Sequence, residues 1–293
     1  MRIVITDSGL GGLSVVAGLE TRLKKQPIFE NVELIFFNSL YSVEFGYSLI
    51  DDFSDKVKIF NNALNSIENN FQPDLILIAC NTLSVVYPHT KFSQNSKTEV
   101  KGILDSGVDL FKSFIQERND KIIIFGTPTT IISNVYNDEL INAGIKASQI
   151  VNQACPDLES EIQRDPISDI TKNSISKFVK EAAGSAEYFG KTLYAGLCCT
   201  HYGYSENVFL ETLSLEFNCE VKTLNPNTKM LDFLFDASKK TYSNAKVTVR
   251  VVTQVILRES EIKSLSNIFS SDSPKTATAL RDYEYIQNLF EKV

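Results

Sequence analysis

Short apolar runs alternate along the chain with longer stretches in which apolar residues recur every third or fourth position. The runs fall at residues 2–6, 32–37, 74–80, 100–104, 121–125, 149–152 and 192–197, and the helical periodicity at 13–24, 51–68, 107–117, 131–143 and 170–183. Runs such as Leu75-Ile76-Leu77-Ile78-Ala79 lack polar alternation, as expected of strands covered on both faces. Alternation of such strands with helices predicts βαβ units and a largely parallel sheet, so the fold class is α/β. After Glu220 the pattern changes. Residues 246–257 hold the alternating Val247, Val249 and Val251, a half-exposed strand signature read as core or edge structure, although a subunit interface there, in a homodimer, stays open. Helical stretches follow at 259–269 and 275–291, across the turn-like Ser270-Ser271-Asp272-Ser273-Pro274.

The two halves echo each other. One apolar run ends at Asp7-Ser8-Gly9 and a later one at Cys80-Asn81-Thr82; further on, one ends at Gly126-Thr127-Pro128 and a later one at Cys199-Thr200-His201, with nearly the same spacing. Each half thus offers two polar loops at strand carboxyl ends, where open α/β sheets bind ligands. The expectation is two pseudosymmetric lobes with a site in the cleft between them. The first lobe takes residues 1–98 plus about 210–293, the tail packing back on it, and the second takes about 99–209.

Composition narrows the function classes. With 43% hydrophobic and 22% charged residues, the 293-residue chain has the balance of an ordinary globular protein. A formal charge of −7 argues against general binding to nucleic acid or anionic membrane. No stretch approaches the ~20 apolar residues of a membrane span. The start Met1-Arg2-Ile3-Val4-Ile5 runs directly into a strand pattern without signal-peptide regions, so a cytoplasmic location is expected. Five unevenly spaced cysteines (80, 155, 198, 199 and 219) read as free thiols in a reducing compartment. Only His89 and His201 occur, which leaves almost no room for a multi-histidine metal site.

Three loops carry candidate chemistry. Asp7-Ser8-Gly9-Leu10-Gly11-Gly12 turns from a strand into a helix and suits an anion, but it lacks the Gly order of a dinucleotide site and the Lys of a P-loop. Read alone, it is more simply a tight turn with Asp7 as a cap. Cys80 is followed by the amide of Asn81 and the hydroxyl of Thr82, and by itself divides evenly between core and site cysteine. In Cys198-Cys199-Thr200-His201 the vicinal thiols point to opposite sides, and His201 can share the side of Cys199. The spacing is too compact for zinc.

Taken in order, Asp7 to Gly12, Ala79 to Thr82, Gly126 to Ile131, Ala154-Cys155-Pro156 and Cys199 to Tyr202 resemble the glutamate racemase family, over about residues 1 to 240. The resemblance implies two pseudosymmetric α/β lobes and a racemase that needs neither cofactor nor metal. It would interconvert L- and D-glutamate and supply the D-enantiomer for peptidoglycan. It also implies that Cys80 and Cys199 act as acid and base on opposite faces of the substrate, with Asp7 and His201 as their helpers. Ser8, Asn81, Thr82, Thr127, Thr130 and Thr200 would hold the substrate carboxylates, with backbone N–H groups of Phe45 and Gly46. The implied partner is a small amino acid, with no nucleic acid and no membrane.

Three departures bear on the substrate. The family's Asp-Thr-Ala-Arg-x-Pro-Tyr-Gly segment becomes Asn38 to Gly46, one residue longer and carrying Glu44. Cys198 stands for a glycine and Gly203 for a proline, and a family glutamate falls near Gln163, with Glu159 and Glu161 as substitutes. A racemase of aspartate or another small amino acid is therefore an alternative. So are a thiol hydrolase using Cys199 and His201, and a protein that only binds a carboxylate. Cys155 and Cys219 are read as packing residues and His89 as a surface-loop residue.

Overall fold

The computed structural model describes residues 1–42, 46–115, 117, 120–184, 192–235 and 241–291. Its strands are β1 (Arg2–Asp7), β2 (Asn31–Asn38), β3 (Leu75–Ile78), β4 (Glu99–Gly102), β5 (Lys121–Gly126), β6 (Ile150–Ala154), β7 (Thr192–Cys198), β8 (Glu220–Leu224), β9 (Lys246–Thr253) and β10 (Glu284–Tyr285). Among the described residues they form a sheet ordered β10-β9-β2-β1-β3-β4 and a second ordered β6-β5-β7-β8, and every pairing is parallel. The order β2-β1-β3-β4 recurs as β6-β5-β7-β8, so the echo read in the sequence is a repeat of topology. No described helix is long and apolar enough to cross a membrane.

The chain divides into two units, Met1–Ile103 with Met230–Val293 and Leu104–Lys229. The crossing points differ from those expected. Residues 99–102, expected to open the second lobe, form β4 and pair with β3 of the first sheet. Residues 210–229, expected in the first lobe, belong to the second unit because β8 pairs with β7. Both strands are edges, and their charged sequences (EVKG and EVKTL) discourage edge-to-edge pairing. In β8 the charges also hide the strand signal, whereas β4 falls on the run at 100–104 and only its sheet differs from the expectation.

Burial explains the remaining elements. In β5, Ile123 and Phe125 pack on one face while Ile122 and Ile124 pack on the other, the two-residue period of a strand covered on both sides. The helical pattern at 131–143 is split into Pro128–Ile132 and Val135–Asn142, because Asn134 takes the left-handed conformation with φ of 54°. The tail helix stops at Arg281, well short of 291. Arg250 of β9 holds Glu284 through Nε and Nη2, both at 2.7 Å, which draws that segment alongside as β10.

The tail docks on the first unit in two ways. β9 pairs with β2 over its full length. Glu20, fully buried on helix Leu13–Lys25, accepts the N–H groups of Lys275 and Thr276 at 3.1 and 2.8 Å. It thereby caps helix Pro274–Arg281, whose own N-cap Ser273 makes no side-chain cap.

Candidate active site

In a parallel sheet, the carboxyl end of the central strand opens where its neighbours lead away in opposite directions, and ligands collect there. β1 has β2 on one side and β3 on the other, and β5 has β6 and β7. The predicted chemistry lies at these two points. Asp7 ends β1 and Cys80 follows β3; Thr127 follows β5 and Cys199 follows β7.

At the first point Cys80 is the N-cap of helix Asn81–Val86, and the Leu83 N–H donates to its sulfur at 3.4 Å. The Ser8 hydroxyl lies 3.2 Å from the same sulfur. Ser8, expected on a substrate carboxylate, therefore sits on the thiol. Asp7, almost fully buried, accepts the N–H of Ser8 at 2.6 Å and that of Gly12. The anion-holding loop thus already holds a carboxylate of its own. Gly12 permits this approach, since a Cβ there would meet Asp7 at 3.0 Å. Burial, and then the charge of Asp7, push the Cys80 thiol well above the usual thiol range, against hydrogen bonds from Ser8 and Leu83. Cys80 rests as the neutral thiol, with two donors in place to solvate a thiolate.

At the second point the strand alternation sends Cys198 into the cluster with Tyr136 and Cys199 into the opposite one with Cys155 and Tyr202. His201 Nδ1 lies 3.8 Å from Cys199 Sγ, and its Nε2 lies 3.0 Å from Gln163 Oε1. With an amide oxygen facing Nε2, that nitrogen carries the proton and Nδ1 presents its lone pair to the thiol. Burial lowers His201 to about 4, so the imidazole is neutral at pH 7 and acts as an acceptor. Of the three residues weighed on helix Leu158–Arg164, Gln163 is the one at His201, while Glu159 acts electrostatically on Cys155 and Tyr202.

The other predicted residues divide. Asn81, Thr82, Thr127, Thr130 and Thr200 are buried beside the two thiols' loops. Thr127 caps helix Pro128–Ile132 and its hydroxyl lies 3.0 Å from that of Thr130. Gly46 is extended at the start of the turn Tyr47–Leu49, whereas Phe45 and Glu44 lie outside the described residues. Cys155 is buried, Cys219 is half-buried, and exposed His89 packs edge-on against Phe53. No cluster suited to a metal ion occurs among the described residues. Two residues had no sequence signal: Asn227, whose amide donates to the Thr200 carbonyl at 3.0 Å, and Tyr47, packed in the same cluster as Cys80.

A carboxylate in place of Gln163 tests the histidine geometry. Gln163→Glu is expected to raise the His201 pKa by one unit or more, because the negative charge beside Nε2–H favours imidazolium. The sign for activity is a loss on the acid side at higher pH, since imidazolium cannot accept the Cys199 proton. Proton NMR titration reads this directly in a chain with two histidines. An unmoved His201 resonance would remove Gln163 from the pair.

Fold and loops together define a class: a two-unit parallel α/β protein with a buried thiol at the switch point of each sheet. No family model matches the sequence. The chain is similar to the glutamate racemase of Campylobacter jejuni subsp. jejuni, 26% identical over 272 residues, which cover 91% of this chain and 96% of that protein. Among solved structures, a glutamate racemase from the same organism matches with a TM-score of 0.68 at 23% identity, over 92% of this chain and 97% of that one. The glutamate racemase of Francisella tularensis subsp. tularensis, solved with D-glutamate, gives a TM-score of 0.68 at 20% identity, over 93% of each chain. The resemblance read from the motifs therefore extends over most of the chain, and the proteins it joins are isomerases.

Proposed function

We propose that the chain is a cofactor-independent amino-acid racemase that interconverts L- and D-glutamate, with Cys80 and Cys199 as its acid–base pair. The observation that carries this reading is that each sheet ends in a buried thiol with its own polar helper. Ser8 and Asp7 attend Cys80, and His201 with Gln163 attends Cys199. Inversion at Cα needs a base on one face and an acid on the other, with the roles exchanged for the other enantiomer. For one enantiomer, the Cys199 proton passes to His201 Nδ1, the thiolate takes the α-hydrogen, and the Cys80 thiol returns a proton to the opposite face. For the other enantiomer the steps run in reverse. The thiolate that Cys80 becomes on giving up its proton, solvated by Ser8 and the Leu83 N–H, takes the α-hydrogen, and the Cys199 thiol returns a proton to the opposite face.

The neutral groups of Asn81, Thr82, Thr127, Thr130 and Thr200 hold the substrate carboxylates, which reconciles an acidic ligand with a chain of charge −7. The product D-glutamate would supply peptidoglycan synthesis. Incubation in deuterated water tests the reading. Deuterium is expected at the α-carbon of both glutamate enantiomers, with loss of optical rotation. Exchange of aspartate but not glutamate would change the substrate within the class. Absence of exchange with every amino acid tried would sink the racemase.

A further inference from the structure

One buried polar group near Cys80 has no role in the chemistry above. Tyr47 is 2% exposed and belongs to the apolar cluster that contains Cys80, Phe37, Phe60 and Ile78. Its hydroxyl finds no hydrogen-bond partner among the described residues. Tyr41 packs edge-on against its ring, with centroids 6.1 Å apart and planes at 89°, so the phenol is held rather than free to turn to water. Burial keeps the phenol protonated far above the usual tyrosine range. The Cys80 sulfur already meets Ser8 and the Leu83 N–H.

A fixed, neutral, dehydrated donor is costly unless something takes its hydrogen bond. Near Cys80 the group that arrives is the substrate. On the racemase reading, Asn81 and Thr82, next to the thiol in sequence, hold the carboxylate on the reacting carbon. Tyr47 comes from beyond β2, which β1 separates from the strand before Cys80. That position suits an atom further out on the substrate.

Resting on the racemase reading, we infer that the Tyr47 hydroxyl is a specificity-determining contact, donating a hydrogen bond to an oxygen on the substrate side chain. The enzyme therefore prefers amino acids whose side chains end in a carboxylate or carboxamide over apolar ones of equal length. A site built to hydrogen-bond its ligand rejects analogues that lack the group, because the buried partner is left unpaired.

The test is Tyr47→Phe, compared with the wild-type chain on glutamate, glutamine and norvaline. For glutamate, KM in the deuterium-exchange assay is expected to rise about 10- to 100-fold with kcat retained. Norvaline exchange should be unchanged. The melting temperature of the ligand-free variant should stay level or rise, because an unpaired buried hydroxyl has been removed. Equal losses on glutamate and norvaline would overturn the proposal, since a contact with the α-carboxylate or with Cys80 serves both. So would an unchanged KM, or a melting temperature lowered by several degrees, which would reveal a structural partner. Calorimetric binding of glutamate separates this inference from the racemase reading. Weaker binding to Tyr47→Phe, by a protein that exchanges no α-hydrogen, upholds the contact and rejects the racemase. Equal binding to both forms, or none to either, rejects the contact.

Discussion

Cys80→Ser and Cys199→Ser are each expected to lower racemisation by at least about 1,000-fold, and to do so equally in both directions. A serine hydroxyl is a far weaker acid than a thiol and cannot form the base at neutral pH, so each substitution removes one face of the proton exchange. Equality between directions follows from symmetry. Enantiomers have the same free energy in water, so kcat/KM for L-to-D conversion must equal that for D-to-L in every variant. A thiol pair therefore predicts two variants, each dead both ways. The fold should survive, because Ser is a good N-cap and its oxygen can take the Leu83 N–H that now meets the Cys80 sulfur. Cys219→Ser, at a half-buried position, serves as the control and should keep full activity. Polarimetry with both enantiomers decides the matter. A Cys80→Ser protein that stays active would favour a hydrolase working through Cys199 and His201 alone, whereas residual conversion in one direction only would violate the equilibrium constraint and indicate a contaminating activity.

Much of this arrangement could be read from the chain because the informative elements are the buried ones. A strand covered on both faces shows as an uninterrupted apolar run, so β1, β3, β5 and β7 stood out, and with them the loops that carry Asp7, Cys80, Thr127 and Cys199. β8, at the unit boundary, did not: it is an edge with alternating charges, and a five-residue strand of that kind differs little from a loop. β4 showed as the run at 100–104, but no local feature says which sheet it joins. The split at Asn134 and the early stop at Arg281 were hidden for another reason. A left-handed residue and an ion pair to a distant strand override a helical period that is locally sound. Within the candidate site, Cys199 and His201 were visible because they neighbour one another in sequence, and Asp7, Ser8 and Cys80 because each lies at the end of a buried strand. The Gln163 contact with His201 joins a helix to a strand end 38 residues later, and the burial of Tyr47 arises from packing against β2 and β3 residues, so neither leaves a local pattern.

Asp7→Asn is expected to reduce kcat/KM by about 100- to 10,000-fold, again equally in both directions, although the substitution is nearly isosteric. Two effects combine. The Asp7 carboxylate now accepts N–H groups from both Ser8 and Gly12. An amide can accept only through its oxygen, so one of those N–H groups would face a second donor, at a cost of roughly 1–3 kcal/mol in a buried position. The loop that presents the Ser8 hydroxyl to Cys80 would shift with it. The second effect is electrostatic. After burial, Asp7 is the main influence that holds the Cys80 proton. Without the charge, the thiol ionises at lower pH and its thiolate becomes the weaker base, which slows removal of an α-hydrogen far less acidic than any thiol. The kinetic signature is specific. The primary isotope effect with α-deuterated substrate should grow for the enantiomer that Cys80 deprotonates and stay level for the other, even as both kcat/KM values fall together. Chemical denaturation would report the loop term separately. Stability lost without any change in the isotope effects would leave Asp7 as a structural carboxylate that merely ties the glycine-rich turn. An isotope effect that changes on one enantiomer only makes it the electrostatic partner of Cys80.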